Sequence, residues 1–281
     1  MNKLSEVAEL TLGADGIWYP RRDGLSAISY PADANARCFE AESDSYWFNH
    51  RNQVILQSIK RTGLRIDWLL DIGGGNGAVA SFLERSGIKS VVLEPGHDGA
   101  RNSLSRGVSA VINSTLEEAL IRPASVSAAG LFDVLEHIED DLDMLSKIKT
   151  CLRPGGHVII AVPAYQFLWS ESDIEAGHFR RYTKRELTHR LTAAGFRVVY
   201  ASYFFTSLIV PILLFRALKS RIGKKVEAKE NISGDHGTQG GVLVAGIRFL
   251  LMLERAWFKV FSSLPIGASL IVIGEAPVQS T

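Results

Sequence analysis

Hydrophobic positions change their period several times along this chain, and each change marks an element. Between Ser43 and about Arg61, Phe48, Ile55 and Ile59 share one helical face with Asn52 as its polar exception, which predicts a helix. Short apolar runs then alternate with helical stretches. Asp67–Ile72 reads as a first strand running into glycines. Ala78–Ser86 puts Val79, Phe82 and Leu83 on one side of a helix, with Gly87 as its stop. Ser90–Leu93, Ser109–Ile112 and Ala128–Leu135 are the second to fourth strands. Asp140–Leu152 carries Leu142, Leu145, Ile148 and Leu152 at helical spacing, and Pro154-Gly155-Gly156 is expected to end it. His157–Val162 is a fifth strand. Thr183 with Glu186 forms a capping box for a helix stopping at Gly195, and Phe196–Tyr203 is a sixth strand. Ser269–Gly274 closes the chain as a last strand; residues 1–40 show no long element.

Strands separated by single helices require right-handed crossovers and a mostly parallel sheet. Runs such as VVL and VII suit strands covered on both faces. The expected fold is therefore α/β and doubly wound. Residues 1–62 form an N-terminal extension with a lid helix, and residues 63–281 the main domain, with a helical insertion over about 204–262.

That insertion has its own pattern. Residues 204–215 are almost wholly apolar, but Pro211 breaks them and they are too short to span a bilayer. Arg216, Lys219, Arg221, Lys224, Lys225 and Lys229 follow, with Glu227 the only acid among them. A polar linker, roughly Lys219–Gly241, leads to an amphipathic stretch over Val242–Phe261 that carries Arg248, Glu254 and Arg255. Apolar surface beside a basic cluster fits peripheral contact with an anionic membrane face. A hairpin packed on its own sheet, or a dimer face, fits the same pattern.

Composition narrows the classes. With 281 residues and 46% apolar content the chain can bury a sizeable core. Lys plus Arg is 31 against 30 for Asp plus Glu, so the basic excess of a nucleic-acid binder is missing. Cys38 and Cys151 are far apart with no CxxC pair, as in a cytoplasmic protein with reduced thiols. The N-terminus lacks the apolar run of a secretory signal, and no run of uncharged apolar residues is long enough for a membrane span.

The chemistry concentrates in LLDIGGGNG, residues 69–77, between a predicted strand and a predicted helix. Gly73, Gly75 and Gly77 permit a tight turn and close approach of backbone to a ligand. The free N–H groups of the next helix face the same place. The spacing also fits the dinucleotide pattern GxGxxG/A. Asp71 discriminates: a carboxylate two positions before the first glycine repels a pyrophosphate but suits a cationic amino-acid group, such as the ammonium of S-adenosylmethionine. Glu94, 23 residues on, can accept both hydroxyls of a ribose. Thr115 and Leu116 follow the third strand, where an adenine edge would lie.

Taken together, LLDIGGGNG, VVLEP, FDVLEHIED and LRPGGHVIIAVPA resemble, in order, four motifs of the class I S-adenosylmethionine-dependent methyltransferases. The resemblance covers about residues 45–205 and the closing strand. It implies a seven-stranded sheet of order 3-2-1-4-5-7-6 with strand seven antiparallel, and cofactor contacts at Asp71, Gly73, Gly75, Gly77, Glu94 and Asp133. SYWFNHRN looks like the family's lid helix, in which Trp47 or Phe48 would cover the cofactor and Arg51 would pair with its carboxylate.

Methyl transfer from a sulfonium asks the protein to align a nucleophile and exclude water. A hydroxyl acceptor also needs its proton removed. His137, after strand four, and His178, in the polar loop after strand five, are the candidate bases, His178 being favoured. Trp169, Arg181 and Tyr182 are candidates for shaping the acceptor site. Asp133, Glu136, His137 and His178 also resemble the metal set of small-RNA 2′-O-methyltransferases, and in part the ubiquinone-pathway O-methyltransferases, with Asp133 one carbon shorter than the expected glutamate. A divalent metal is thus an option, not the favoured one. The acceptor expected is small or lipid-linked. An NAD-linked oxidoreductase and a non-catalytic binding module are the rivals. Oligomeric state is not legible.

Overall fold

The computed structural model describes residues 4–21, 39, 42, 45–209, 242–261 and 263–278. Cys38 and the basic cluster from Arg216 to Lys229 lie outside them. The strands are β1 (Leu10–Leu12), β2 (Trp18–Pro20), β3 (Leu69–Ile72), β4 (Ser90–Leu93), β5 (Val111–Ile112), β6 (Val126–Phe132), β7 (Leu152–Pro163), β8 (Arg197–Phe204) and β9 (Ser269–Glu275). The helices are α1 (Leu4–Val7), α2 (Tyr46–Thr62), α3 (Ala78–Arg85), α4 (His97–Ser105), α5 (Leu116–Ala119), α6 (Asp141–Cys151), α7 (Glu171–Glu175), α8 (Lys184–Ala193) and α9 (Val242–Val260).

All strands join one sheet in the order β1-β2-β5-β4-β3-β6-β7-β9-β8. The seven strands from β3 onward neighbour one another in the expected order, and β9 runs antiparallel to both β7 and β8. The expected count of seven is corrected to nine among the described residues. β2 adds to β5 in parallel through Trp18 and Ile112, and β1 pairs antiparallel with β2. These added strands are three residues each, half-exposed and without alternation, so no period betrayed them.

Alternate residues of each central strand enter opposite cores. Val158, Ile160 and Val162 join the layer beneath α6 and α8, while Ile159 and Ala161 join the layer beneath α2 and α9. α2 is held there because Val54, Ile55 and Ile59 share one buried face with Leu251 and Phe258 of α9. Ser45 caps α2 by accepting from the Trp47 N–H, and Gly63 closes it at φ +66°. The expected capping box opens α8: Glu186 N–H donates to Thr183 Oγ1 (3.2 Å) and Thr183 N–H to Glu186 Oε2 (2.7 Å).

Two boundaries differ from the sequence reading. Pro154-Gly155-Gly156 does not end α6 as a loop but lies within β7, where Gly155 takes φ +72° and the register against β6 shifts. The fourth expected strand stops at Phe132, because Asp133 adopts φ +57° and turns the chain into a 3₁₀ turn over Leu135–His137. That turn moves Glu136 and His137 off the sheet and onto its carboxyl edge.

Candidate active site

The glycine loop between β3 and α3 is built for close approach. Gly73, Gly75 and Gly77 all have positive φ. A Cβ at Gly73 would stand 3.0 Å from Val134, and one at Gly77 would meet Ser103 Oγ at 2.7 Å. The loop is tied from outside. Ser103 Oγ donates to Gly75 O (2.9 Å), Asn102 Nδ2 to Asn76 Oδ1 (2.9 Å) and Asn52 Nδ2 to Ala78 O (3.3 Å). Asn52, the polar exception on the lid helix, thus fastens α2 to the start of α3.

Asp71 is buried beneath this loop, and neither carboxylate oxygen has a hydrogen-bond partner among the described residues. Burial pushes its pKa up to about 7; Arg51 opposes the shift and Glu94 adds to it. A buried carboxylate with little beyond the nearby Ala80 N–H to stabilise it is costly unless a ligand supplies donors. Glu94, also buried, accepts from Gly75 N–H (2.8 Å) and Gly96 N–H (2.7 Å), which fix its carboxylate beside the glycine loop at the end of β4. A ligand bearing an ammonium and vicinal hydroxyls fits this pair of acids.

The other sequence candidates take less direct places. Thr115 caps α5 by accepting from Glu118 N–H (3.3 Å), and Leu116 is buried in the core, so both side chains serve the fold. Trp47 stacks on Phe205, with ring centroids 3.8 Å apart. Arg51 lies over the Phe48 ring and pairs with Asp133, so its guanidinium is already engaged by a carboxylate of the protein. Asp133 is thereby drawn away from the expected four-residue metal set.

On the neighbouring edge, His137 and His178 meet edge to face at 4.6 Å. Phe179 N–H donates to Glu136 O (2.8 Å), which pins the two loops together. Asp173, which the sequence reading missed, accepts from His178 Nδ1–H (2.9 Å) and from Arg181 Nε (2.7 Å) and Nη2 (2.9 Å). Burial pushes the Asp173 carboxyl upward, but the bonds from His178 and Arg181 outweigh it and hold the pKa well below the usual carboxylate range. Because an ionised carboxylate only accepts, His178 carries its proton on Nδ1 and leaves Nε2 as its basic nitrogen. The signal for Asp173 was the spacing Ser170-x-x-Asp173, a capping box that holds the carboxylate beside the histidine. Burial, with His178 adding to it, pushes the pKa of His137 down to about 4. Tyr182 donates to Asp141 Oδ2 (3.0 Å) deep in the core, and Arg181 is paired with Asp173. Glu136 is fully buried, with neither oxygen partnered among the described residues; burial and then Asp133 hold its pKa well above the usual carboxylate value. Ligand atoms of Glu136, His137 and His178 all lie within 4.8 Å of one another.

A methyltransferase-domain family profile matches residues 47–201, more than half of the chain. Among curated proteins, one named a probable S-adenosylmethionine-dependent methyltransferase, from Mycolicibacterium smegmatis, is 27% identical over 159 residues, covering 55% of this chain and 61% of that protein. The ubiquinone biosynthesis O-methyltransferase of Vibrio cholerae is 26% identical over 137 residues, 46% of this chain and 56% of that one. The chain thus spans less than two thirds of these relatives. Among solved structures, a chain of the complex between the Haloferax volcanii Trm112 methyltransferase activator and its methyltransferase superposes with a TM-score of 0.58 at 18% identity, covering 89% of this chain and 100% of that one. Haemonchus contortus phosphoethanolamine N-methyltransferase 2, bound to S-adenosyl-L-methionine, superposes with a TM-score of 0.56 at 16% identity, covering 90% and 59%. Both likenesses are of fold.

Proposed function

Since this chain belongs to the methyltransferase-domain family, we propose that it transfers the methyl group of S-adenosylmethionine to a hydroxyl oxygen of a small or lipid-linked acceptor. The observation that carries the oxygen acceptor is the Asp173–His178 pair. A thioether nucleophile has no proton to lose, whereas a hydroxyl must give one up to a base. His178, with Nδ1 held by Asp173, presents Nε2 to take that proton. Asp71 and Glu94 would bind the amino-acid and ribose parts of the donor, and the glycine loop would let its backbone close on them. When bound, the sulfonium supplies an already activated methyl group. The similarity to an O-methyltransferase of ubiquinone biosynthesis supports the same acceptor chemistry.

The test is direct. Calorimetry of the full chain should show binding of S-adenosylmethionine and none of NAD. Labelled methyl should then appear in acceptor pools, lipid extracts included, in a base-stable, ether-type linkage. NAD binding, or label only on nitrogen, would overturn the reading.

A second reading, a divalent cation held by Glu136, His137 and His178, is favoured by the unpartnered carboxylate of Glu136 and the mutual approach of the three groups. Their hard oxygen and borderline nitrogen donors suit Mg²⁺, Mn²⁺ or Zn²⁺, which would acidify a bound hydroxyl. Exhaustive treatment with a chelator is expected to leave turnover unchanged if His178 acts alone. Loss of turnover that added Mn²⁺ or Zn²⁺ restores would establish the metal instead.

A further inference from the structure

The insertion helix α9 has three distinct faces. Its inner seam, Ile247, Leu251, Glu254 and Phe258, packs against α2 and the sheet. There Glu254 meets buried His50 (3.0 Å) and accepts from Phe205 N–H (2.6 Å), and Arg61 Nη1 donates to Phe261 O (2.9 Å) near the C-terminus of α9. The helix is therefore anchored, and its outer face is not a stray core surface. That outer face carries Phe249 (55% exposed), Leu253, Trp257 (50%) and Val260 (73%). Between the seam and this apolar band runs a row of cations, Arg248, Arg255 and Lys259, spaced to share one side of a helix. Glu254 is the helix's one acid, and it points inward.

Beside the cationic row, α2 and α9 enclose a groove of about 390 Å³ lined by Gln53, Gln57, Met252, Arg255, Ala256 and Lys259. The Gln57 side-chain oxygen is buried there without a partner among the described residues. An apolar patch of this breadth on a helix marks an interaction surface. Charge selects the occupant. An outer face with cations along one flank and no acid complements an anionic surface, and bulky aromatics beside cations suit the boundary between headgroups and acyl chains. No helix among the described residues is long and apolar enough to cross a membrane, so the contact lies in the interface plane.

We propose that α9 docks this protein on an anionic lipid bilayer, its outer apolar band in the acyl boundary and an anionic headgroup in the groove beside Arg255 and Lys259. The inference holds whichever acceptor the enzyme uses. The test is flotation of the full chain with vesicles of phosphatidylcholine alone and with phosphatidylglycerol added. Binding is expected to the anionic vesicles and to be weak on the neutral ones. Arg248→Gln/Arg255→Gln/Lys259→Gln should weaken it on the order of 100-fold, at roughly one decade or less per cation. Phe249→Ser/Leu253→Ser/Trp257→Ser should abolish it. Both variants should keep the wild-type melting temperature and S-adenosylmethionine affinity without vesicles, which separates failure of docking from failure of the methyltransferase reading. Equal binding to neutral vesicles, binding indifferent to both variants, or no vesicle binding together with a sedimenting dimer that the serine variant splits, would overturn the proposal.

Discussion

Asp71→Asn is expected to weaken S-adenosylmethionine binding by on the order of 10- to 100-fold, the loss that follows from removing a charged hydrogen-bond partner of an ammonium. The same substitution is expected to stabilise the ligand-free protein at alkaline pH. The two effects have one cause. Burial holds the Asp71 carboxyl at about 7, so the folded state keeps its proton where the unfolded chain has lost it. Between the ordinary aspartate range and about pH 7, the native state therefore binds more protons than the unfolded one. Stability falls as pH rises through that window, by about 1.4 kcal/mol per unit at most, and the fall is complete above the folded pKa. Asparagine removes this term, so its thermal advantage should grow across the window and then level. Affinity should run the other way. A cationic ligand needs the ionised carboxylate, so wild-type binding should weaken as pH drops below about 7, and the Asp71→Asn variant should lose this dependence. Calorimetric titrations and melting curves taken from mildly acidic to mildly alkaline pH check both. Unchanged affinity in Asp71→Asn would remove the ammonium contact from the site.

Asp71 was legible because strand and glycine punctuation fix where a carboxylate two residues before Gly73 must sit. The same local logic found the capping box of α8, whereas the order of β3 to β9 came from the family resemblance. Local logic is silent where contacts are non-local. Nothing near Arg51 announces Asp133, 82 residues away, yet the two side chains pair. Thr115 and Leu116 lie after β5, where topology put them; Thr115 also caps α5 and Leu116 is buried. Asp173 needed the opposite inference: its capping box was visible, and only the fold shows that His178 and Arg181 share the capped carboxylate. β1 and β2 escaped because they are short and pair at an edge that any polarity tolerates.

The two histidines, equivalent by sequence, separate once their surroundings are known, and kinetics should separate them likewise. His178→Ala is expected to lower kcat by about 10²- to 10⁴-fold, the usual worth of a positioned base, with S-adenosylmethionine affinity unchanged. His137→Ala should cost far less. Its ring is held neutral by burial, with a pKa of about 4, so it is a poor acceptor for the proton of a hydroxyl. His137 instead packs against the His178 ring and keeps water from it. Asp173→Asn tests the orientation itself. The amide cannot hold the same charge-assisted bonds to His178 and Arg181, so the ring loses its fixed orientation and kcat should fall with S-adenosylmethionine affinity unchanged. A cation at this edge predicts a different pattern: Glu136→Gln, His137→Ala and His178→Ala would then cost similar factors, and each would lower metal content as well as turnover. If all three histidine and aspartate variants turn over at the wild-type rate with the proper acceptor, proton removal at this edge is not part of the reaction.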